Sequence, residues 1–326
     1  MIHGLTRAFA EARSLLLVGP LDLDGDAVGA IVAVARAVAR RWPTCRIEVI
    51  ADERLPDRYE FLQCPDHRFK RAAEVPIETF DLAIVLDGDP GRLGTALPHF
   101  RAARRHAMID HHKTADAEDV DVSFIDPQAA STTELVLRLC DHWGVALERE
   151  LAAAIYAGLV FDTHVFRYRL TSPPTLRAAA RLMETGIDHA QLVERVLLDQ
   201  PLSKVRLRGR MLDRLQVALS GRVVWAALTE AECDGIETGG LVDDLVFIEG
   251  TEVGMLLVER PGGRVKLSLR SRGGIDCAQV AQAMTASGGG HARAAGATLE
   301  GPVESVALRA ITLLGDAQVL APRVTR

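Results

Sequence analysis

Four acidic segments carry the clearest potential for chemistry in this chain. Asp22, Asp24 and Asp26 fall within Asp22-Leu23-Asp24-Gly25-Asp26-Ala27, directly after an apolar run and ahead of a helical one. Carboxylates so crowded repel one another unless a cation or a proton holds them. The same run also suits a solvated acidic turn that caps the next helix. Asp87-Gly88-Asp89 repeats the arrangement after LAIVL, where an aspartate serves either as a ligand or as the acceptor of an Asx-turn. Asp110-His111-His112 follows RRHAMI, and neighbouring histidines there can point in different directions, one to a metal and one to a substrate. Paired histidines in a surface loop can equally have no such role. Asp162, in GLVFDTHVFRY, ends a helical stretch, where a polar residue by itself is ordinary. Together these oxygens and imidazoles form a donor set suited to Mn²⁺ or Mg²⁺.

Near the other end, the glycines of GGGHARAAG (Gly288 to Gly296) permit close backbone approach and positive φ, and a helix starting just beyond them would turn amide N–H groups toward an anion. Arg270, in KLSLRSRGG, sits at a strand end, and its guanidinium fork suits phosphate oxygens. Arg272 and Arg293 share that chemistry but fit a solvent-facing position better. Arg167, just after Asp162, is suited to a phosphate or to a carboxylate partner.

The elements that must position these groups follow from periodicity. Apolar runs at 14–19, 46–51, 81–87, 104–109 and 121–125 read as strands. Helical spacing over 27–41 and 131–143 reads as helices, the second N-capped by Ser131. Their alternation implies an α/β fold with a doubly wound parallel sheet, in which ligands collect at the carboxyl ends of the strands. Residues 148–218 read as mostly helical, with Pro173-Pro174 opening one helix and Gly186 ending it. From 221 the period becomes 2, in GRVVWAAL, DLVFIEG, EVGMLLVER and RVKLSLR, and helices are expected near 276–286 and 303–315. The expected organisation is a parallel-sheet domain at 1–186, a helical connector at 187–220 and a smaller α/β domain at 221–326.

A length of 326 residues favours two cores over one. Net charge is −6 and the Lys and Arg residues are scattered, so no footprint for duplex DNA is visible. Aromatics make up only 5% of the chain, too few for a long single strand to stack base after base. A short RNA or small nucleotide fits better. Five scattered cysteines without a C-x-x-C suggest a reducing cytoplasm, and neither a leader nor a membrane span is expected. A homodimer is compatible with these signs.

The order D-x-D-G-D, D, D-H-H and G-x-x-x-D-T, followed by GGGHARAAG, resembles the DHH phosphoesterases with their DHH-associated C-terminal domain, over nearly the whole chain. The resemblance implies two divalent cations, chiefly Mn²⁺, held by Asp24, Asp26, Asp87, His111 and Asp162, with Asp87 bridging. It implies that His112 faces the substrate phosphate, that Asp110 orients a histidine, and that Arg270, Gly289, Gly290 and His291 hold the substrate. The activity it implies is nano-RNase-like: hydrolysis of short oligoribonucleotides, linear dinucleotides or 3′-phosphoadenosine 5′-phosphate. A single-strand 5′ exonuclease of the RecJ type and a nucleotide-binding protein with an impaired metal site are the alternatives. One departure stands out, because many members have a histidine where this chain has Pro20. Asp22 and His164 are the candidate replacements.

Overall fold

Strand β1 (Ser14–Val18) is apolar along its length because both of its faces are covered. Leu15 and Leu17 belong to one buried cluster, and Leu16 and Val18 to another. The computed structural model describes residues 2–112, 115–272 and 274–316, with His291 described for its backbone alone. The chain divides into two compact units, Met1–Asp199 and Gln200–Arg326.

In the first unit, β1 is joined by β2 (Arg46–Ala51), β3 (Phe69–Arg71), β4 (Leu82–Leu86), β5 (His106–Asp110) and β6 (Val122–Ile125) in a wholly parallel sheet of order β3-β2-β1-β4-β5-β6. Helices α1 (Ile2–Glu11), α2 (Gly25–Arg41), α3 (Leu97–Arg101), α4 (Thr132–Trp143), α5 (Arg149–Thr163), α6 (Pro173–Met183) and α7 (His189–Val193) complete it. Residues of α2, α4 and α5 pack on one sheet face, while Phe80 and Phe100 close the other. The strand order reverses between β1 and β4, and such a switch point opens a crevice at the carboxyl ends of the strands. The edge strand β3, three residues long, has too little pattern to be read from sequence.

Two glycines set how α5 meets α2. A Cβ on Gly29 would lie 2.5 Å from the Ala154 carbonyl oxygen, and one on Gly158 would lie 2.5 Å from Asp26 Oδ1. The two helices therefore touch backbone to backbone beside the acidic segment.

The second unit contains α8 (Leu202–Asp213), β7 (Gln216–Ala218), β8 (Val223–Leu228), α9 (Glu230–Cys233), α10 (Leu241–Val246), β9 (Val253–Arg260), β10 (Arg264–Ser271), α11 (Cys277–Met284), β11 (Gly289–His291), β12 (Ala294–Glu300) and α12 (Val303–Gly315). Its sheet, of order β11-β12-β10-β9-β8-β7, is antiparallel except for β8 with β9. Helices α11 and α12 cover one face, and α8 and α10 the other.

Two local expectations are corrected here. The segment 244–250, expected as a strand, instead lies in α10 and the turn after it, because Leu241, Val242, Leu245 and Val246 are buried at helical spacing and Asp243 and Asp244 favour a helix N-terminus. The glycine cluster leads into the short strand β11 and a hairpin to β12, not into a helix. Residues 187–220, expected as a connector, divide between the units: Leu192 and Val196 join the first core, Leu207 and Met211 the second, and β7 joins the second sheet. Among the described residues no helix is long and apolar enough to cross a membrane. The five cysteines are free.

Candidate metal centre

The turn between β1 and α2, the ends of β4 and β5 and the last turn of α5 supply acids and imidazoles, of which Asp26, Asp87, Asp110 and His111 are buried and Asp24, His112 and Asp162 half-buried. Asp24 caps α2, its Oδ1 accepting the amide N–H groups of Asp26 (2.9 Å) and Ala27 (3.0 Å). Asp26, in the first turn of α2, is fully buried. Its Oδ2 accepts the Thr132 N–H at 2.6 Å and its Oδ1 the Thr133 N–H at 3.0 Å, so the start of α4 is aimed at this carboxylate. Asp87 follows β4 with a positive φ of 62°, and its Oδ1 accepts the Thr132 hydroxyl at 2.8 Å. Ser131 caps α4 by accepting the Glu134 N–H, while Glu134 in return accepts the Ala130 N–H.

Two groups of three ligand atoms stand close enough to share an ion: Asp26, His111 and Asp162, and Asp87, His111 and His112. His111 belongs to both. Its Nε2 lies 2.9 Å from Asp162 Oδ2 and 3.8 Å from Asp87 Oδ1. Its Nδ1 lies 3.3 Å from the Ala129 carbonyl oxygen, which can only accept, so Nδ1 carries a hydrogen. His112 Nδ1 lies 2.6 Å from Asp110 Oδ1, which also accepts the His112 N–H at 3.1 Å. That pair places a proton on Nδ1 of His112.

Crowding leaves its mark on acidity. Burial, then the Asp162 charge, pushes Asp24 up to about 7 and Asp26 up to about 6. Burial together with the charges of Asp26, Asp24 and Asp162 puts Asp87 well above the ordinary carboxylate range. Burial alone would depress His111, but the hydrogen bond and charge of Asp162, with Asp26 and Asp87 behind it, raise it to about 11. Asp110 is pushed up by burial, yet the His112 hydrogen bond and charge outweigh that and hold it below its usual value.

Without a cation, a proton on His111 Nε2 and a raised proton affinity in Asp24, Asp26 and Asp87 would hold these groups together. A divalent cation would replace those protons with one concentrated positive charge, and the oxygen and nitrogen donors match a Mn²⁺-like ion. The residues present fit the metal.

Not every expected residue joins the cluster. Asp22 is exposed, with φ of 60°, and belongs to neither ligand group; the half-buried Asp24, whose Oδ1 caps α2, is also outside both. His164 also stands outside both groups: it caps α5 in a left-handed conformation, its ring stacked on Tyr168 with centroids 5.1 Å apart. Pro20 is buried against Gly88. Arg167 is exposed in the turn after α5, where its N–H donates to the Thr163 carbonyl. In the second unit, Arg270 Nε donates to Asp243 Oδ1 at 2.8 Å. Gly289 and Gly290 pair with Gly296 and Ala295, and a Cβ on Gly290 would come within 2.5 Å of the Ala294 carbonyl oxygen. The His291 side chain lies outside the described part of the structure. Thr132 and Thr133 were not singled out from sequence, although the S-x-x-E pattern of Ser131 to Glu134 marks a helix start directed at something.

Residues 14–159 match the model for the DHH family, N-terminal domain, and residues 220–314 that for the DHHA1 domain. The bifunctional oligoribonuclease and PAP phosphatase NrnA of Thermus thermophilus is 32% identical over 86% of this chain and 82% of its own length. The cyclic-di-AMP phosphodiesterase GdpP of Geobacillus thermodenitrificans is 26% identical over 91% of this chain and 46% of its own length. The crystal structure of an exopolyphosphatase-related protein from Bacteroides fragilis has the same fold, with a TM-score of 0.87 at 24% identity over 96% of each chain.

Proposed function

The chain belongs to the DHH family, joined to a DHHA1 domain, and on that premise we propose that it hydrolyses short oligoribonucleotides, linear dinucleotides and 3′-phosphoadenosine 5′-phosphate to mononucleotides. It is a metal-dependent phosphoesterase. The observation that carries the reading is His111, whose Nε2 lies 2.9 Å from Asp162 and 3.8 Å from Asp87 among buried and half-buried carboxylates that protons or a cation must hold together.

In this reading Asp24, Asp26, Asp87, His111 and Asp162 would hold two divalent cations. Mn²⁺ is the preferred ion. Bound divalent cations supply an acidified water and neutralise charge on the phosphate oxygens. The chain's own residues do the positioning. Thr132 ties Asp26 and Asp87 to the start of α4, and Asp110 fixes the ring of His112, which is assigned to the substrate phosphate. Arg167, Arg270, Gly289, Gly290 and His291 are assigned to substrate recognition, with Asp243 orienting the Arg270 fork until a phosphate exchanges for it. The free cysteines accord with a cytoplasmic setting.

The test is Mn²⁺-dependent release of phosphate from 3′-phosphoadenosine 5′-phosphate and of AMP from a di-adenylate, comparing wild type with His111→Ala and Asp87→Asn. Each substitution is expected to lower both rates at least a hundredfold with far-UV dichroism unchanged. Activity that survives both changes would overturn the assignment.

A further inference from the structure

The segment between β6 and α4 makes two sets of bonds at the metal centre. Its Ala129 carbonyl faces His111 Nδ1 at 3.3 Å, and the Thr132 and Thr133 amides at its end hold Asp26. Whatever fixes the backbone of 126–131 therefore bears on both ligands. One carboxylate stands out. Glu134, in the first turn of α4, is buried, and its Oε2 accepts the Ala130 N–H at 3.1 Å. That N–H and the Ala129 carbonyl belong to the same peptide. A trans peptide is planar, with its C=O and N–H pointing in opposite directions, so holding the N–H fixes where the carbonyl points. Glu134 on one side and His111 on the other thus share a single rigid peptide.

This is more than helix capping requires. In an ordinary capping box the acid returns to the N–H of the cap residue itself, here Ser131. Glu134 reaches one residue further back, and Ser131 already caps α4 through the Glu134 N–H. Burying a carboxylate is costly unless hydrogen bonds replace its water, and Glu134 is fully supplied with them. Its Oε2 also accepts the Thr175 hydroxyl from the start of α6 at 3.0 Å, and its Oε1 accepts Arg138 Nη2 at 2.7 Å. Arg138 Nη1 donates to Asp126 Oδ2 at 2.6 Å. Asp126 in turn accepts the Gln128 N–H through Oδ1 and the Ala129 N–H through its carbonyl, both at 3.0 Å. Three successive amides of the loop are held by two acids that one guanidinium joins.

We infer that Glu134 is a positioning residue of the metal centre. By gripping the Ala129–Ala130 peptide it keeps the Ala129 carbonyl on His111 Nδ1, which commits that nitrogen to its hydrogen and leaves Nε2 as the one a cation can use. Arg138 and Asp126 keep Glu134 and the loop in register. The inference rests on the two-cation reading above and extends it to a side chain that touches no ligand atom of the site.

Glu134→Gln tests it, because the amide has the same size yet must turn an N–H toward Arg138, Ala130 or Thr175, each of which donates to the carboxylate. Arg138→Met is the second variant; Arg138 is half-buried at the surface, so this change spares the core and carries the same expectations if the first fails to fold. Two readouts are taken on the full-length protein. Calorimetric titration should show Mn²⁺ bound at least tenfold more weakly than by wild type. Long-range ¹H–¹⁵N spectra of the protein loaded with diamagnetic Mg²⁺ should show the His111 Nδ1 proton in wild type, identified by its loss in His111→Gln, and no such resonance in the variant. Neither readout needs a substrate, so both remain decisive if di-adenylate is not hydrolysed. Mn²⁺ affinity within threefold of wild type, or a retained Nδ1 resonance, would overturn the inference and leave Glu134 a structural residue whatever happens to Tm. A wild type without that resonance would overturn it as well.

Discussion

His111 belongs to both groups of candidate ligand atoms. Its Nδ1 is committed to Ala129, so Nε2 must either carry hydrogen toward Asp162 or offer its lone pair to a cation. Metal binding therefore has to expel that proton and those held by the raised carboxylates, and affinity for Mn²⁺ should climb with pH. Calorimetry of Mn²⁺ binding in buffers of different ionisation enthalpy should report net proton release, whereas buffer-independent heats would contradict it. The same groups set metal-free stability. Asp24, held up at about 7 in the fold, binds more protons folded than unfolded between about pH 4 and 7, so stability falls as pH rises through that window. His111 acts with the same sign at higher pH: its contribution is complete below about 6.5 and is lost as pH rises toward about 11. Asp24→Asn keeps the capping acceptor, since a single oxygen receives both amides. In EDTA this variant should melt several degrees above wild type at pH 8, with the gap closing toward pH 4. Thr132→Val should weaken Mn²⁺ binding about 10- to 100-fold, the usual cost of losing a group that orients a ligand, and Thr132→Ser should restore it. The carboxylates and histidines were legible in sequence because their chemistry is in their side chains. Thr132 was not, because half of its contribution is a backbone N–H pointed by the register of a helix.

At the scale of elements, the cluster depends on helices that approach more closely than side chains allow. Gly158 lies in α5 where any Cβ would press on Asp26 Oδ1 and on the Thr133 side chain. Gly158→Ala improves helix propensity yet should destabilise the fold by about 1–3 kcal/mol through overpacking, and should weaken metal binding as Asp26 is displaced. Denaturant melts and a Mn²⁺ titration check the two effects separately. The main elements of the first sheet could be read because strands buried on both faces are apolar throughout and long helices repeat. Short elements escaped: β3 has three residues, and the apolar run 244–250 resembles a strand although its first three residues are the end of α10. A glycine-rich segment likewise fits a hairpin or a helix start until its neighbours are known.

On the scale of the molecule, the proposed roles put the metal ligands, His112 and Arg167 in Met1–Asp199 and the remaining substrate-recognition residues in Gln200–Arg326. Each unit has its own buried clusters, so residues 1–199 expressed alone should fold and bind Mn²⁺. That fragment should lose most of its hydrolysis of dinucleotides, since the residues assigned to substrate recognition lie mainly in the other unit. The proposed preference for very short substrates is measured by a chain-length series. Initial rates of Mn²⁺-dependent hydrolysis should be compared for RNA of two to five residues and for a 20-mer, each at a concentration below its KM. The expected result is kcat/KM highest for the shortest chains and at least a hundredfold lower for the 20-mer. A 20-mer degraded as fast as a dimer, or faster, would contradict the claim and point to a processive exonuclease.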